Sequence, residues 1–313
     1  MALAIQHLLG LYGVSESDIT LILDTADNFY EVLQREIKQV PTLRGKTIVN
    51  LFYENSTRTR ISFELAEKRL TGSPINFTSS SSSVSKGETL KDTIRNIAAM
   101  KIDMVVVRHS APGVPLFLTK CTDAIIINAG DGFHEHPTQA LLDMMTIRRH
   151  FGKLKGLKVA IVGDILHSRV ARSNAWGMKT MGIDVTLCGP ETLLPQHRES
   201  LGVKVTNNMD EAMDNTDVVM LLRLQLERQS GGLFPSVREY RELYGLDLEK
   251  LSTLPEHTVI MHPGPINRGI ELASNVADCG RSIILNQVTN GVAVRMAILY
   301  LLGGGEIGGH DHA

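Results

Sequence analysis

Residues 56–60 read Ser-Thr-Arg-Thr-Arg, three hydroxyls and two guanidinium groups in one short turn. Hydroxyl donors beside a forked cation are the equipment for holding an oxyanion such as phosphate. The run before them, 47–53, is β-branched and aromatic and reads as a buried strand. The run after them, 61–70, repeats at helical spacing, with Ile61, Leu65 and Ala66 on one face and Gly72 as the stop. The turn therefore falls where a strand passes into a helix, and the first-turn amides of that helix add donors and a partial positive charge. A plain helix cap is the competing account, since Ser and Thr are preferred N-caps. Two arginines in the first turn weigh against it, because cations are disfavoured there unless an anion is to be met.

Other candidate groups fall at similar places. Arg108 follows the apolar run 103–107, and His136 and Gln139 flank Pro137 at the start of a helix, one offering an imidazole and the other an amide that donates and accepts. His134 and His136 alone make a poor metal site, because no third matched ligand is near. Arg169 opens a helix after the strand 158–162, and Arg223 and Gln225 follow the strand 217–222. Their alternation puts them on one side of an extended chain. His262-Pro263-Gly264-Pro265 is a rigid turn after the strand 259–261. Lys86 closes a serine-rich run, 79–85, which reads either as a linker or as a lid carrying one cation.

Strands and helices alternate along the chain, which predicts an α/β fold of two doubly wound domains. Each has a central, mainly parallel sheet flanked by helices, with the active site between them. We expect domains at 1–150 and 151–289, with a C-terminal helix at 290–303 packing back on the first and a disordered tail at 304–313. A helix from Ser15 to about Gln39 should bury a stripe that includes Ile19, Ile22, Phe29 and Ile37. In parallel sheets ligands bind beyond the carboxyl ends of the strands, and the 56–60 turn, Arg108 and the loop after Asn128 all lie there. Neither GxGxxG nor the P-loop pattern occurs, so nicotinamide and nucleoside triphosphate roles lack support.

Composition sets the limits. A net charge of −2 over 313 residues gives no basic field for nucleic acid, and no apolar run nears the roughly 20 residues a membrane-spanning helix needs. Cys121, Cys188 and Cys279 are odd in number and far apart, which fits reduced thiols in the cytoplasm rather than a disulfide frame or a zinc cluster. The N-terminal 14 residues lack the basic start and small-residue cleavage site of a secretory signal.

Taken in order and spacing, residues 56–60, Arg108, His136-Pro137-Thr138-Gln139, Arg223-Leu224-Gln225 and 262–265 resemble the carbamoyltransferases, on the aspartate side of that family. The resemblance covers the chain up to Leu302. It implies transfer of the carbamoyl group of carbamoyl phosphate to the amine of L-aspartate, in pyrimidine synthesis, by a homotrimer with shared active sites and no cofactor. It also admits regulatory or dihydroorotase subunits as further partners. By that likeness Ser56, Thr57, Arg58, Thr59 and Arg108 hold the phosphate; Thr59, Arg108 and His136 contact the carbamoyl oxygen; and Gln139 with Gly264 and Pro265 contacts its amide. Arg169, Arg223 and Gln225 grip the aspartate carboxylates together with Gly264, and Glu227 orients Arg223. Lys86, with Ser82 or Ser83, enters the neighbouring subunit's site and serves both substrates and the chemistry. Arg60 has no ligand in this scheme and is expected to brace the turn. Gly264 departs from the leucine that relatives often carry, a change that leaves a backbone carbonyl contact possible. Two rivals remain. Ornithine carbamoyltransferases share the phosphate half, but their HCLP cysteine and SMG segment are missing here. A non-catalytic anion-binding protein of the same fold is disfavoured by the occupied catalytic positions.

Overall fold

The computed structural model describes residues 2–78, 88–225 and 236–305. The chain separates into two compact units, Met1–Leu142 with Thr289–Ala313, and Asp143–Val288.

The first unit holds α1 (Glu16–Gln34), β1 (Thr47–Phe52), α2 (Thr57–Arg69), β2 (Ser73–Thr78), α3 (Leu90–Ala99), β3 (Met104–His109), α4 (Val114–Thr119) and β4 (Ile125–Asp131). Its four strands are parallel in the order β2-β1-β3-β4. β1, β3 and β4 are largely apolar, buried runs, as strands covered on both faces must be, whereas β2 is an edge strand whose Ile75 is 51% exposed; Val105, Val107, Leu51 and Ile126 pack with Ile94 and Leu118 in one core cluster.

Ser15 caps α1 through the Asp18 amide, and Ile19, Ile22, Ala26 and Phe29 are buried along it. The helix stops earlier than its apolar spacing suggests. Arg35 leaves helical geometry at φ −73°, ψ 158°, so Ile37 falls off the stripe and is 74% exposed. The inner face of α2 also differs from expectation. Thr59, Ser62, Phe63, Ala66 and Glu67 turn inward, while Ile61 and Leu65 are exposed. Buried Ser62 and Glu67, partnered by Arg295 of the C-terminal helix and Asn50 of β1, outcompete two aliphatic side chains for the inside of this helix.

Two helices run across the division between the units: α5 (Pro137–Phe151) and α11 (Ile284–Leu302). The second unit contains β5 (Lys158–Val162), α6 (Arg169–Thr180), β6 (Asp184–Cys188), β7 (Lys204–Thr206), α7 (Met209–Met213), β8 (Val218–Leu221), α8 (Val237–Tyr244), α9 (Leu248–Thr253), β9 (Val259–Met261) and α10 (Ser274–Ala277). Its five strands are parallel in the order β7-β6-β5-β8-β9. Val162, Val219, Leu221 and Ile260 meet Tyr240, Tyr244 and Leu272 in its core.

Both sheets reverse winding direction once. In the first unit the chain runs outward from β1 to β2 and then crosses back to β3. In the second it runs from β5 through β6 to β7 and then crosses to β8. Between β1 and β3, and again between β5 and β8, the connections leave in opposite directions and open a crevice at the carboxyl ends of the strands.

Candidate active site

The first crevice collects the phosphate candidates. Phe52 pairs with Arg108 across β1 and β3, and the Tyr53 amide donates to the Arg108 carbonyl at 2.9 Å, so both strands release their next residues side by side. From β1 come Glu54 and the 56–60 turn. Ser56 is the N-cap residue of α2, yet its side chain makes no capping hydrogen bond, and the first turn holds no acidic residue. By contrast α1, α3, α6, α8 and α9 are each capped by a side-chain oxygen that accepts from a first-turn amide. The hydroxyl at the start of α2 is thus not spent on the helix, which removes the plain-cap account. Thr59 is buried, whereas Thr57 and Arg58 are exposed. Arg60 acts within the helix: the Glu64 carboxyl is held below its ordinary value first by Lys68, then by Asn76 and Arg60.

From β3 comes Arg108, whose Nη2 donates to Glu54 Oε1 at 2.6 Å and whose Nη1 donates to Ala129 O at 3.1 Å. The guanidinium is therefore aimed by a residue just ahead of the 56–60 turn. Burial lowers the pKa of His109 next to it and outweighs the pull of Glu54. Its Nδ1 accepts from the Ala111 amide at 2.9 Å.

The loop that delivers His136 and Gln139 is built from buried polar groups. Asn128 Nδ2 donates to Leu9 O at 2.8 Å and to Asp131 Oδ1 at 2.9 Å. Asp131 also accepts from the Glu135 amide at 3.0 Å and the Gly113 amide at 2.7 Å, and the Glu135 carboxylate accepts from the Leu11 and Tyr12 amides at 2.7 and 3.2 Å. Burial pushes the Asp131 carboxyl up, but His134, Asn128 and the Gly113 amide more than offset this and hold it below the usual value. His134 meets Asp131 Oδ2 at 3.1 Å, so its partner is this carboxylate. His136 then precedes Pro137 at the first position of α5; Pro fits there because no amide is needed. The Gln139 amide donates back to His136 O at 3.0 Å, and both side chains are buried.

Arg295 joins the two helices of this unit that begin at the candidate groups. It is buried on α11, donates to Ser62 Oγ of α2 at 2.9 Å, approaches Thr138 Oγ1 of α5 at 3.5 Å and lies over the Phe63 ring at 5.0 Å.

The second crevice collects the carboxylate candidates. Val162 pairs with Leu221, after which Gly163 takes φ +141°; a Cβ there would stand 2.8 Å from Leu222 O. Only glycine lets the two strand ends run this close. Beyond it, buried Asp164 accepts from the His167 amide at 3.2 Å and meets His167 Nδ1 at 2.8 Å, and Ser168 caps α6. Arg169, the first residue of that helix, is buried. From β8, Leu224 is buried while Arg223 and Gln225 on either side are half-buried, as alternation predicts.

At the end of β9, the His262 amide donates to Gln287 Oε1 at 2.9 Å, and His262 Nδ1 accepts from the Gly264 amide at 2.8 Å. The Gly264–Pro265 peptide is cis. Asp143 anchors Gln287 from below, accepting from its Nε2 at 2.8 Å and from Asn174 Nδ2 at 2.8 Å. Ser82, Ser83, Lys86 and Glu227 lie outside the described residues.

Sequence reasoning passed over Glu54, Glu135, Gln287 and Arg295. Each is an isolated residue whose partner is distant in the chain. The only available signal was a charged or amide residue inside an otherwise apolar or loop segment.

Two doubly wound parallel sheets, each with arginines near its switch point, define an α/β protein whose strand ends are suited to small anions. Family models match both units: "Aspartate/ornithine carbamoyltransferase, carbamoyl-P binding domain" over residues 6–149 and "Aspartate/ornithine carbamoyltransferase, Asp/Orn binding domain" over residues 155–302. The chain belongs to the aspartate/ornithine carbamoyltransferase family. It is 58% identical over 300 residues to the aspartate carbamoyltransferase catalytic subunit of Flavobacterium psychrophilum, covering 96% of this chain and 97% of that one. Against the Halothermothrix orenii catalytic subunit it is 56% identical over 313 residues, the full length of both. Among solved structures, it resembles the Trypanosoma cruzi aspartate transcarbamoylase in complex with carbamoyl aspartate and phosphate, with a TM-score of 0.85, 32% identity, and 94% and 95% of the two chains covered. The M. jannaschii catalytic subunit gives a TM-score of 0.82 at 35% identity over 95% and 98% of the chains.

Proposed function

We infer that this chain transfers the carbamoyl group of carbamoyl phosphate to the amine of L-aspartate, releasing N-carbamoyl-L-aspartate and phosphate in pyrimidine biosynthesis. The observation that carries the reading is the division of cations between two switch points. Arg58 and Arg108 sit at the β1/β3 crevice, and Arg169 and Arg223 sit at the β5/β8 crevice. A dicarboxylate acceptor calls for the second pair, whereas a cationic side chain such as that of ornithine would be repelled by it.

In the proposed mechanism Ser56, Thr57 and Arg58, with the free amides of α2, hold the phosphate. Thr59, Arg108 and His136 donate to the carbamoyl oxygen, where charge builds as the amine attacks. Gln139 and the Gly264–Pro265 turn fix the amide, and Gln287 steadies that turn through the His262 amide. Arg169, Arg223 and Gln225 hold the aspartate carboxylates, with Glu227 orienting Arg223. The departing phosphate is basic enough to take the amine proton, so no side chain need act as base or nucleophile. Lys86, with Ser82 or Ser83, is contributed by a neighbouring copy in a homotrimer. Support for such an assembly comes from Ile61 and Leu65, aliphatic residues one turn apart on α2 that are 48% and 39% exposed and that a second copy would cover. Regulatory or dihydroorotase partners are compatible with this trimer. The three free cysteines favour a reducing cytoplasm, and no helix among the described residues is long and apolar enough to cross a membrane.

The deciding experiment supplies the purified chain with carbamoyl phosphate and either aspartate or ornithine. Carbamoyl-aspartate and stoichiometric phosphate are expected with aspartate; their absence, or product with ornithine alone, overturns the reading.

A further inference from the structure

Beneath the phosphate turn, β1 and α2 are joined by a polar pair sealed from solvent. Asn50 in the middle of β1 and Glu67 near the end of α2 are both 0% exposed, and Asn50 Nδ2 donates to Glu67 Oε2 at 2.8 Å. The other oxygen of each group, Asn50 Oδ1 and Glu67 Oε1, is buried with no hydrogen-bond partner among the described residues. Two idle acceptors in a dry site are costly, and an ionised carboxyl there would add an uncompensated charge. One proton removes both faults, since a carboxylic acid donates as well as accepts.

We propose that Glu67 is a neutral carboxylic acid in the folded protein, its Oε1–H donating to Asn50 Oδ1, and that this two-bond acid–amide latch positions α2 and its phosphate turn against β1.

The surroundings agree. Burial, the largest effect, drives the Glu67 pKa up from 4.5 to about 8, helped by Glu64 and opposed by Asn50 and Lys68. β1 and β2 carry no charged residue. On α2 itself, Lys68 pairs with Glu64 at 2.6 Å, Arg60 acts on Glu64, and Arg58 and Arg69 complete the helix's cations. The one charged residue of α11, Arg295, donates to Ser62 and to Gly291 O. The 40–46 segment packed on the end of α2 brings Arg44 and Lys46, the latter paired with Asp103.

The folded state then keeps a proton that the unfolded chain loses. Below about pH 4.5 both states hold it and the contribution to stability is whole; between 4.5 and about 8 unfolding releases it. The folding constant therefore falls by about tenfold per pH unit across that window and levels off above it. Glu67→Gln replaces the O–H by an N–H that cannot ionise, reproducing both bonds.

The test is denaturant unfolding of the full chain and of Glu67→Gln from pH 5 to 9, with infrared spectra at pH 7. The folding constant of Glu67→Gln relative to the native chain should rise by about a hundredfold or more between pH 5 and 8. A carboxylic-acid carbonyl band should be present in the native chain and absent from the variant. Parallel stability curves, a missing band, or a Glu67→Gln chain that does not fold would each overturn the proposal. For the positioning role, inorganic phosphate is the probe: its Kd should climb more steeply from pH 7 to 9 in the native chain than in Glu67→Gln, and identical profiles refute that role. The phosphate role of α2 rests on the carbamoyl-transfer reading, but none of these readouts uses turnover, so the two can fail separately.

Discussion

Arg108 and Glu54 leave neighbouring parallel strands at the same level and meet there at 2.6 Å, with their side chains only 11% and 21% exposed. A cation so placed is already oriented before an anion arrives, and preorganised charge of this kind contributes most to transition-state stabilisation.

Arg108→Ala should lower kcat by about 10²–10³, the usual effect of losing one oxyanion donor, while circular dichroism and the unfolding midpoint stay close to native. Glu54→Gln keeps the shape and loses the charge, and about a tenfold fall in kcat/KM, or about 1.4 kcal/mol, is expected. Steady-state kinetics measures both; a native rate in Arg108→Ala removes that residue from the mechanism.

The Glu135 carboxylate fills the space above Gly10 so closely that a methyl group at position 10 would overlap it. Gly10→Ala should therefore displace Glu135 from the Leu11 and Tyr12 amides and loosen the loop carrying His136. A loss of about 1–3 kcal/mol in unfolding free energy is expected from amides left unsatisfied, read by urea titration. Full native stability in that variant would contradict the network.

The folded pKa of Asp131 is depressed below its ordinary 3.8. A depressed carboxyl contributes stability that is present above the unfolded value and is lost as pH falls through the folded one. Asp131→Asn should accordingly be less stable than the native chain at neutral pH and converge on it as pH falls through the depressed folded value. Unfolding midpoints from pH 2 to 7 check this, and a constant gap over that range would show that ionisation plays no part.

If Lys86 serves a neighbouring copy's site, chains carrying Lys86→Ala and chains carrying Arg108→Ala are each nearly inactive alone but complement each other. Dissociating and remixing the two should restore sites built from one intact half of each. No recovery of activity in the mixed trimers would refute the shared-site arrangement.

Most sheet strands were legible because they are short apolar runs ended by Gly, Asn, His or Arg, and parallel pairing followed from their alternation with helices; β2, Ser-Pro-Ile-Asn-Phe-Thr, showed only its Ile75-Asn76-Phe77 centre. Arg108, Arg169 and Arg223 were legible for the same reason: each stands within a few residues of a strand's carboxyl end. Local spacing misled where burial is set by distant partners. Ile61 and Leu65 look like a core face of α2, but Ser62 faces Arg295, 233 residues away, and Glu67 faces Asn50 on β1. Gln287 was invisible because its value lies in the His262 amide and Asp143, which only the tertiary fold brings to it. The stop of α1 at Gln34 was missed because no Gly or Pro marks it.

The first turn of α2 has no capping side chain and carries Arg58 and Arg60 where other helices of this chain carry acids. Taken by itself, that is a weak start to a helix. On the proposed reading, a bound phosphate would accept from first-turn amides and meet the Arg58 guanidinium, and the substrate would then be a structural part of the segment that holds it. Saturation would then register as folding energy, about 2.7 kcal/mol at a hundred times Kd. In the proposed reaction each release of phosphate would return this segment to its less stable form.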